Sequence, residues 1–292
     1  MIIAVASGKG GTGKTTVAAG LARVWPRPVV AVDFDVEAPN LDLFLNATMT
    51  REIQATLPVP RIDPALCTGC GACRDACAFN ALAMVGPVPM LFPELCHACG
   101  GCLLRCPTGA LVEDQRLLGE VLEGRTPRGG RVFAGRLRIG EAHAPPLMRK
   151  VRVALRASLA QEPADVLIDA PPGASCPALE AVRDADLVVL VTEPTPFGLH
   201  DLRLAWGAMK GLGRRMAVVI NRAGFDDQGV RTFCAEAGLP VLAALPFDRD
   251  VAEAYARGRT LDEVGPEHAG RLRALAQAIT ALATPSGETA HA

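Results

Sequence analysis

The chain has 292 residues, half of them hydrophobic and 21% charged, which places it among folded globular proteins and outside the disordered class. A formal net charge of −1 argues against nucleic acid or an anionic membrane as partner, and one Tyr with two Trp leaves little for base stacking. Ten cysteines behind a start with no basic leader predict a reducing, cytoplasmic setting where thiolates bind metal.

The first elements read as α/β. Met1–Ala6 is an apolar strand, Thr15–Val24 a helix, and Val29–Val32 a second strand that ends at Asp33. Between the first strand and the helix, Gly8-Lys9-Gly10-Gly11-Thr12-Gly13-Lys14-Thr15-Thr16 fits the phosphate-loop pattern G-x-x-x-x-G-K-T. Its glycines free the backbone N–H groups to curl around phosphate oxygens at a helix N-terminus. Lys14 is positioned to reach the β- and γ-phosphates, and the Thr15 hydroxyl to ligate Mg²⁺.

From Arg61 to about Glu113 the texture changes to Cys, Gly and Pro. Cys67, Cys70, Cys73 and Cys77 are followed by Cys96, Cys99, Cys102 and Cys106, a C-x2-C-x2-C-x3-C run used twice, with Pro107 after the second. This is the ligand spacing of a two-cluster bacterial ferredoxin, in which the fourth cysteine of each run serves the other cluster. It predicts one [4Fe-4S] cluster on Cys67, Cys70, Cys73 and Cys106, and a second on Cys96, Cys99, Cys102 and Cys77. Zinc is the competing reading of C-x2-C pairs. Three ligands at this spacing plus a displaced fourth, twice over, suit two cubanes better than two tetrahedra. Gly69, Gly71, Gly100 and Gly101 give the backbone freedom to aim N–H groups at sulfur. His97, between two ligands, is expected to be exposed and near enough to tune a cluster.

Residues 114–146 are rich in Gly and Arg, and Arg131–Ile139 alternates like a hairpin strand. The arginines from 116 to 156 are expected to form a solvated basic face, with docking of an acidic redox partner as the alternative. From Lys150 the α/β texture returns. Val166–Ile168, Leu187–Val191, Ala217–Ile220 and Val241–Ala244 are short buried-strand runs, separated by helical patterns at 201–212, 228–237, 249–257 and 267–283. None is long enough to span a bilayer. The last helix is expected to pack on the sheet. The fold expected is a doubly wound, mostly parallel sheet (1–60 and 114–292) with an inserted α+β ferredoxin-like module (61–113).

Lys9 within Lys9-Gly10-Gly11-Thr12-Gly13-Lys14-Thr15-Thr16 resembles the extra lysine of the deviant Walker A ATPases, the group of MinD, ParA and the nitrogenase iron protein. Val32-Asp33-Phe34-Asp35 resembles their first switch, and Val166-Leu167-Ile168-Asp169-Ala170-Pro171-Pro172-Gly173 their Walker B strand and second switch. The resemblance implies a dimer closed by ATP, either homodimer or related heterodimer, with Lys9 reaching the partner's phosphates. It implies that Asp35 orients the attacking water and that Asp169 holds the Mg²⁺ shell. Asn221 and the segment Pro246-Phe247-Asp248 match adenine-side positions. The nearest resemblance is to MinD-like ATPases carrying an inserted ferredoxin domain, and it covers nearly the whole chain. Cys176, seven residues after Asp169, falls where nitrogenase iron proteins carry a ligand of a dimer-bridging cluster. That makes it a candidate metal ligand, against the alternative of a small residue packed at a helix start. Cys234 is expected in the core.

The function implied is ATP hydrolysis coupled to electron transfer or to metal–sulfur cofactor assembly on a redox or metallocofactor protein. A redox-sensing positioning ATPase of the MinD/ParA type is the alternative. Stable cluster ligation favours electron transfer, and Cys176 favours metal transfer.

Overall fold

The computed structural model describes residues 1–224 and 226–284. Short apolar runs with β-branched residues form the strands β1 (Ile2–Ala6), β2 (Val29–Asp33), β8 (Asp165–Asp169), β9 (Leu187–Thr192), β10 (Arg215–Ala223) and β11 (Val241–Pro246). With β3 (Thr48–Ile62), β6 (Leu111–Arg125) and β7 (Arg131–Leu137) they make one nine-stranded sheet, ordered β11-β10-β9-β1-β8-β2-β7-β6-β3. From β11 to β7 all neighbours are parallel; β6 and β3 complete the edge antiparallel.

Side chains alternate to opposite faces of each strand, so β1 sends Ala4 and Ala6 into one core and Ile3 and Val5 into another. The first core is covered by α5 (Ala144–Gln161), α6 (Cys176–Val182), α7 (Pro196–Met209) and α8 (Gln228–Glu236). The second is covered by α1 (Lys14–Val24), α2 (Leu41–Phe44) and α10 (Pro266–Ala283). On α10, Leu272, Leu275 and Ile279 are buried against α1 and the sheet, the packing expected from its apolar stripe. Among the described residues no helix is long and apolar enough to cross a membrane.

Three long elements escaped the sequence pattern. Strand β3 is half exposed and carries Pro58 and Pro60, which weaken any strand signal and suit an edge position. Its partner β6 is mixed in the same way. Helix α5 begins Ala144-Pro145-Pro146; proline is tolerated in the first turn because its missing N–H has no helical partner there, but the pair reads as loop.

The β3–β6 ribbon carries the cysteine segment. Gly119 of β6 lies opposite Leu137, the last residue of β7, so Leu111–Leu118 run past the carboxyl edge of the parallel strands by roughly 25 Å. Between Ile62 and Leu111 lie the short helices α3 (Ala72–Asp75) and α4 (Gly101–Arg105) and the hairpin β4 (Leu82–Met84) with β5 (Pro89–Leu91). The two halves repeat in conformation: Gly71 and Gly100, each just after a second cysteine, cap α3 and α4 at φ +75° and +72°. Gly101, by contrast, is the ordinary first residue of α4.

Candidate functional site

Every parallel strand with a predicted site residue delivers it at its carboxyl end, the edge where open α/β sheets bind ligands. A cleft of about 400 Å³ lies there, lined by Lys9, Gly10, Gly11, Gly13, Lys14, Thr15, Thr16, Asp35, Asn221, Pro246 and Asp248 among others. The loop leaves β1 at Ser7 and enters α1 through Gly13, whose φ of +89° is the left-handed region glycine tolerates. A Cβ on Gly13 would strike the Asn221 amide, and one on Gly8 the Asp201 carbonyl. Asn221 Nδ2 donates to the Thr12 carbonyl at 2.7 Å, so β10 braces the loop.

The charged groups interlock. Lys14 Nζ sits 2.7 Å from Asp169 Oδ1, and Thr15 Oγ1 donates to Asp169 Oδ2 at 2.6 Å, with Asp169 fully buried. Asp33, also fully buried, accepts N–H bonds from Asp35, Asn40 and Leu41 at 2.8–2.9 Å. It therefore pins the loop that presents Asp35. Burial and the neighbouring Asp169 carboxylate push Asp33 up to about 7 despite those three donors. Burial likewise raises Asp35, with Lys14 opposing. Lys9 Nζ pairs with Glu193 Oε1 at 2.5 Å within the same chain. Asp248 accepts from Asp250 N as the cap of α9 (Arg249–Ala256) and lies 3.0 Å from His268 Nε2.

Sequence reasoning missed part of this cleft. Arg222, at φ +53°, bonds the Gly11 carbonyl at 3.0 Å and Glu193 at 2.9 Å. Val251, Ala252 and Tyr255 of α9 line the cleft wall beside Pro246 and Asp248, and Tyr255 stacks on Phe44 with centroids 4.6 Å apart. Only the adjacency of Arg222 to Asn221 could have pointed to it.

The cleft fits a Mg²⁺ nucleotide. Gly10 and Gly11 face open space where a phosphate chain needs close backbone approach, no side chain caps the start of α1, and the buried Thr12 hydroxyl lacks a partner.

The cysteines gather in two further cavities. One is lined by Cys67, Cys70, Cys73 and Cys106; the other is lined by Cys77, Cys96, Cys99 and Cys102. Each cavity takes three cysteines from one run and the fourth from the other. All eight are free thiols. Cys77 Sγ accepts an N–H bond from Ala81 at 3.3 Å, and the Cys106 thiol is held below its ordinary value because Thr108 and nearby backbone N–H groups outweigh burial. An all-thiol donor set ringed by N–H groups fits a soft metal–sulfur group. Among the described residues no three such side chains converge tightly enough to clasp a single metal ion.

The remaining residues fall less simply. Cys176 is the first residue of α6 and is exposed, not packed. Cys234 is buried in α8, its thiol pushed up to about 11 by burial. The arginine-rich stretch is not a free basic face. Arg116, Arg131 and Arg152 are nine-tenths buried, paired respectively with Glu141, with Ser158 and the Glu162 carbonyl, and with Asp184. Arg136, Arg138 and Arg156 also face carboxylates. His97 is exposed as expected, yet it is held: it stacks on Phe79 at 3.7 Å and bonds His143 Nε2 at 2.9 Å.

The CobQ/CobB/MinD/ParA nucleotide-binding domain matches residues 3–261 of this chain. The uncharacterized proteins MJ0578 and MJ0579 of Methanocaldococcus jannaschii are 30% and 27% identical over 88% and 89% of this chain, and over 88% and 91% of their own. Among solved structures, the cell division ATPase MinD of Pyrococcus furiosus is similar at 25% identity and TM-score 0.57, covering 96% of this chain and 98% of its own. The septum site-determining protein MinD of Pyrococcus horikoshii, complexed with Mg-ADP, shares the fold at 23% identity and TM-score 0.57, with 98% of each chain covered.

Proposed function

This chain belongs to the CobQ/CobB/MinD/ParA nucleotide-binding family, and from that premise we propose that it is a deviant Walker A ATPase. Its inserted ferredoxin-like module carries two [4Fe-4S] clusters. The chain couples a nucleotide-switched dimer to electron transfer, or to metal–sulfur cofactor assembly, on a redox or metallocofactor partner. The observation that carries the reading is the coincidence of the cleft with the two four-cysteine cavities, whose membership follows the crossed pattern of a two-cluster ferredoxin.

In the chemistry proposed, the amides of Gly10–Lys14 and the Lys14 ammonium hold the β- and γ-phosphates. The Thr15 hydroxyl and Asp169 would hold Mg²⁺, which would supply positive charge to the transferring phosphoryl group. Asp35 orients the attacking water. The nucleotide takes Lys14 and Thr15 away from Asp169, which both now engage. Releasing Asp169 loosens its neighbours, because its carbonyl accepts from Phe34 N and Gly173 N is tied to the Ser7 carbonyl. Both switch segments thereby respond to one carboxylate. Lys9 must leave Glu193 to reach a partner's phosphates. Cys67, Cys70, Cys73 and Cys106 would hold one cluster and Cys96, Cys99, Cys102 and Cys77 the other, and the clusters would supply one-electron carriage. Cys176 stands exposed near the second switch as a candidate ligand at the dimer interface.

The test is ATP hydrolysis by protein purified without oxygen, with iron and acid-labile sulfide counted per chain. About eight irons and a hydrolysis rate lost in Lys14→Ala support the reading. Zinc in place of iron removes the cluster half, and nucleotide-independent behaviour of the cleft removes the ATPase half.

A further inference from the structure

A continuous set of contacts joins the loop that presents Asp35 to the cavity of Cys77, Cys96, Cys99 and Cys102. The Val36 carbonyl, one residue past Asp35, accepts the Leu137 N–H at 2.9 Å. Val36 is buried against Gly135, where a Cβ would collide with it, so loop and strand end cannot move independently. From Leu137 the chain is tied down in steps. Arg138 N donates to the Leu118 carbonyl at 3.1 Å and Glu141 N to the Arg138 carbonyl at 3.1 Å. The Glu141 side chain is fully buried, ion-paired with Arg116, and accepts from both His143 N at 3.0 Å and His143 Nδ1 at 3.2 Å. With Nδ1–H committed to that carboxylate, a neutral His143 offers Nε2 as acceptor to the Nε2–H of His97. His97 then stacks on Phe79, and both line the cysteine cavity. At the other end, Ala144 shares a second cavity with Asp35, Val36, Pro171 and Pro177.

Two features mark this joint. The buried Nε atoms of Arg116 and Arg138 have no hydrogen-bond partner, so the network leaves two donors unsatisfied. Ala98, next to His97, takes φ +56° where the other half-module has Gly69 at +71°, so the segment gripped by His143 is backbone-strained.

We propose that Leu137–Ala144 is a strut that carries the nucleotide state of the cleft to the second cysteine cavity, with His143 as the positioning residue that grips His97. This rests on reading the cleft as the ATP site. The strut gives the two sites one shared element, whose arrangement both can bias.

Hydrogen–deuterium exchange on the full chain, purified without oxygen and compared with and without Mg²⁺ and the non-hydrolysable nucleotide AMP-PNP, tests it. In the wild type, nucleotide should change amide exchange at 34–41 and at 96–99 by about fivefold or more. His143→Phe, which keeps a ring but no nitrogen, should retain the response at 34–41 and lose it at 96–99. His143→Gln, which keeps a polar group at similar reach, should restore it. Iron per chain should be equal in all three. An unchanged response at 96–99 in His143→Phe overturns the proposal. So does a wild type whose 34–41 responds while 96–99 does not, or a loss of iron in His143→Phe, which would make the contact purely structural. No response at 8–16 or 34–41 in the wild type overturns the reading of the cleft, and the strut with it.

Discussion

In the α/β body, β1, β8 and β9 are buried on both faces and two apolar cores run the length of the sheet. Between Asp63 and Ala110 the buried hydrophobic side chains are few and small: Cys73, Ala81, Leu82, Cys96 and Ala110. The body is held by burial, and its cleft is added at the strand ends without altering the core. The module has almost no core apart from its thiols, so the proposed ligands and the structural residues are the same side chains. With the proposed clusters bound, a small module of this kind would gain its folding free energy largely from its thiolate ligation.

The largest effect that would break or sharpen this contrast is on the module. Cys96→Ala should lower iron from about eight per chain to near zero, because the fourth ligands cross between halves, and should open residues 63–110 to proteases. The melting of the body should move by under about 2 °C. Equal loss of both regions would contradict the separation. Next, Lys14→Ala should reduce kcat for ATP hydrolysis by about 100-fold or more while iron content stays at the wild-type value. Third, Leu190→Ala, in the centre of the body, should cost about 2–5 kcal/mol in denaturant unfolding of the body, again with the iron-binding stoichiometry of the folded protein retained.

The smallest effect is on pH dependence. Asp33 is raised in the folded state, chiefly by burial and then by Asp169, to about 7. Between its ordinary value near 3.8 and that point, the folded chain holds a proton that the unfolded chain has released. The contribution of this group to stability is therefore present at low pH and falls as pH rises through that window. Asp33→Asn should flatten the decline relative to wild type in urea titrations from pH 4 to 7; an identical slope would place the proton elsewhere.

The two regions also differed in how much could be read from residues alone. Strands β8 and β9 were legible because parallel strands are apolar throughout, and Gly8–Thr16 because a phosphate loop needs glycines and lysine at fixed offsets. The grouping of three cysteines of one run with the fourth of the other was expected only from the tandem ferredoxin pattern, in which the fourth ligand crosses; local loop length alone would have kept each run together. The β3–β6 ribbon was not, because an exposed edge pair has no apolar pattern to betray it. Arg222 and the Lys9–Glu193 pair were invisible because they depend on strand order: β9 and β10 bring Glu193 and Arg222 to a loop that leaves β1. His143 and His97 are 46 positions apart, and only the overhang of β6 makes them neighbours. The arginine stretch misled for the same reason. Its carboxylate partners Asp184 and Glu180 lie beyond the stretch, and Glu141, inside it, is 25 positions from Arg116.

The most direct measurement is electron paramagnetic resonance of dithionite-reduced protein, purified without oxygen, recorded with and without Mg²⁺ and ATP alongside an iron count. Two four-iron clusters under control of the cleft predict about eight irons per chain and a signal whose shape or midpoint potential shifts with nucleotide. Zinc in place of iron, or an iron signal indifferent to bound nucleotide, would contradict the account.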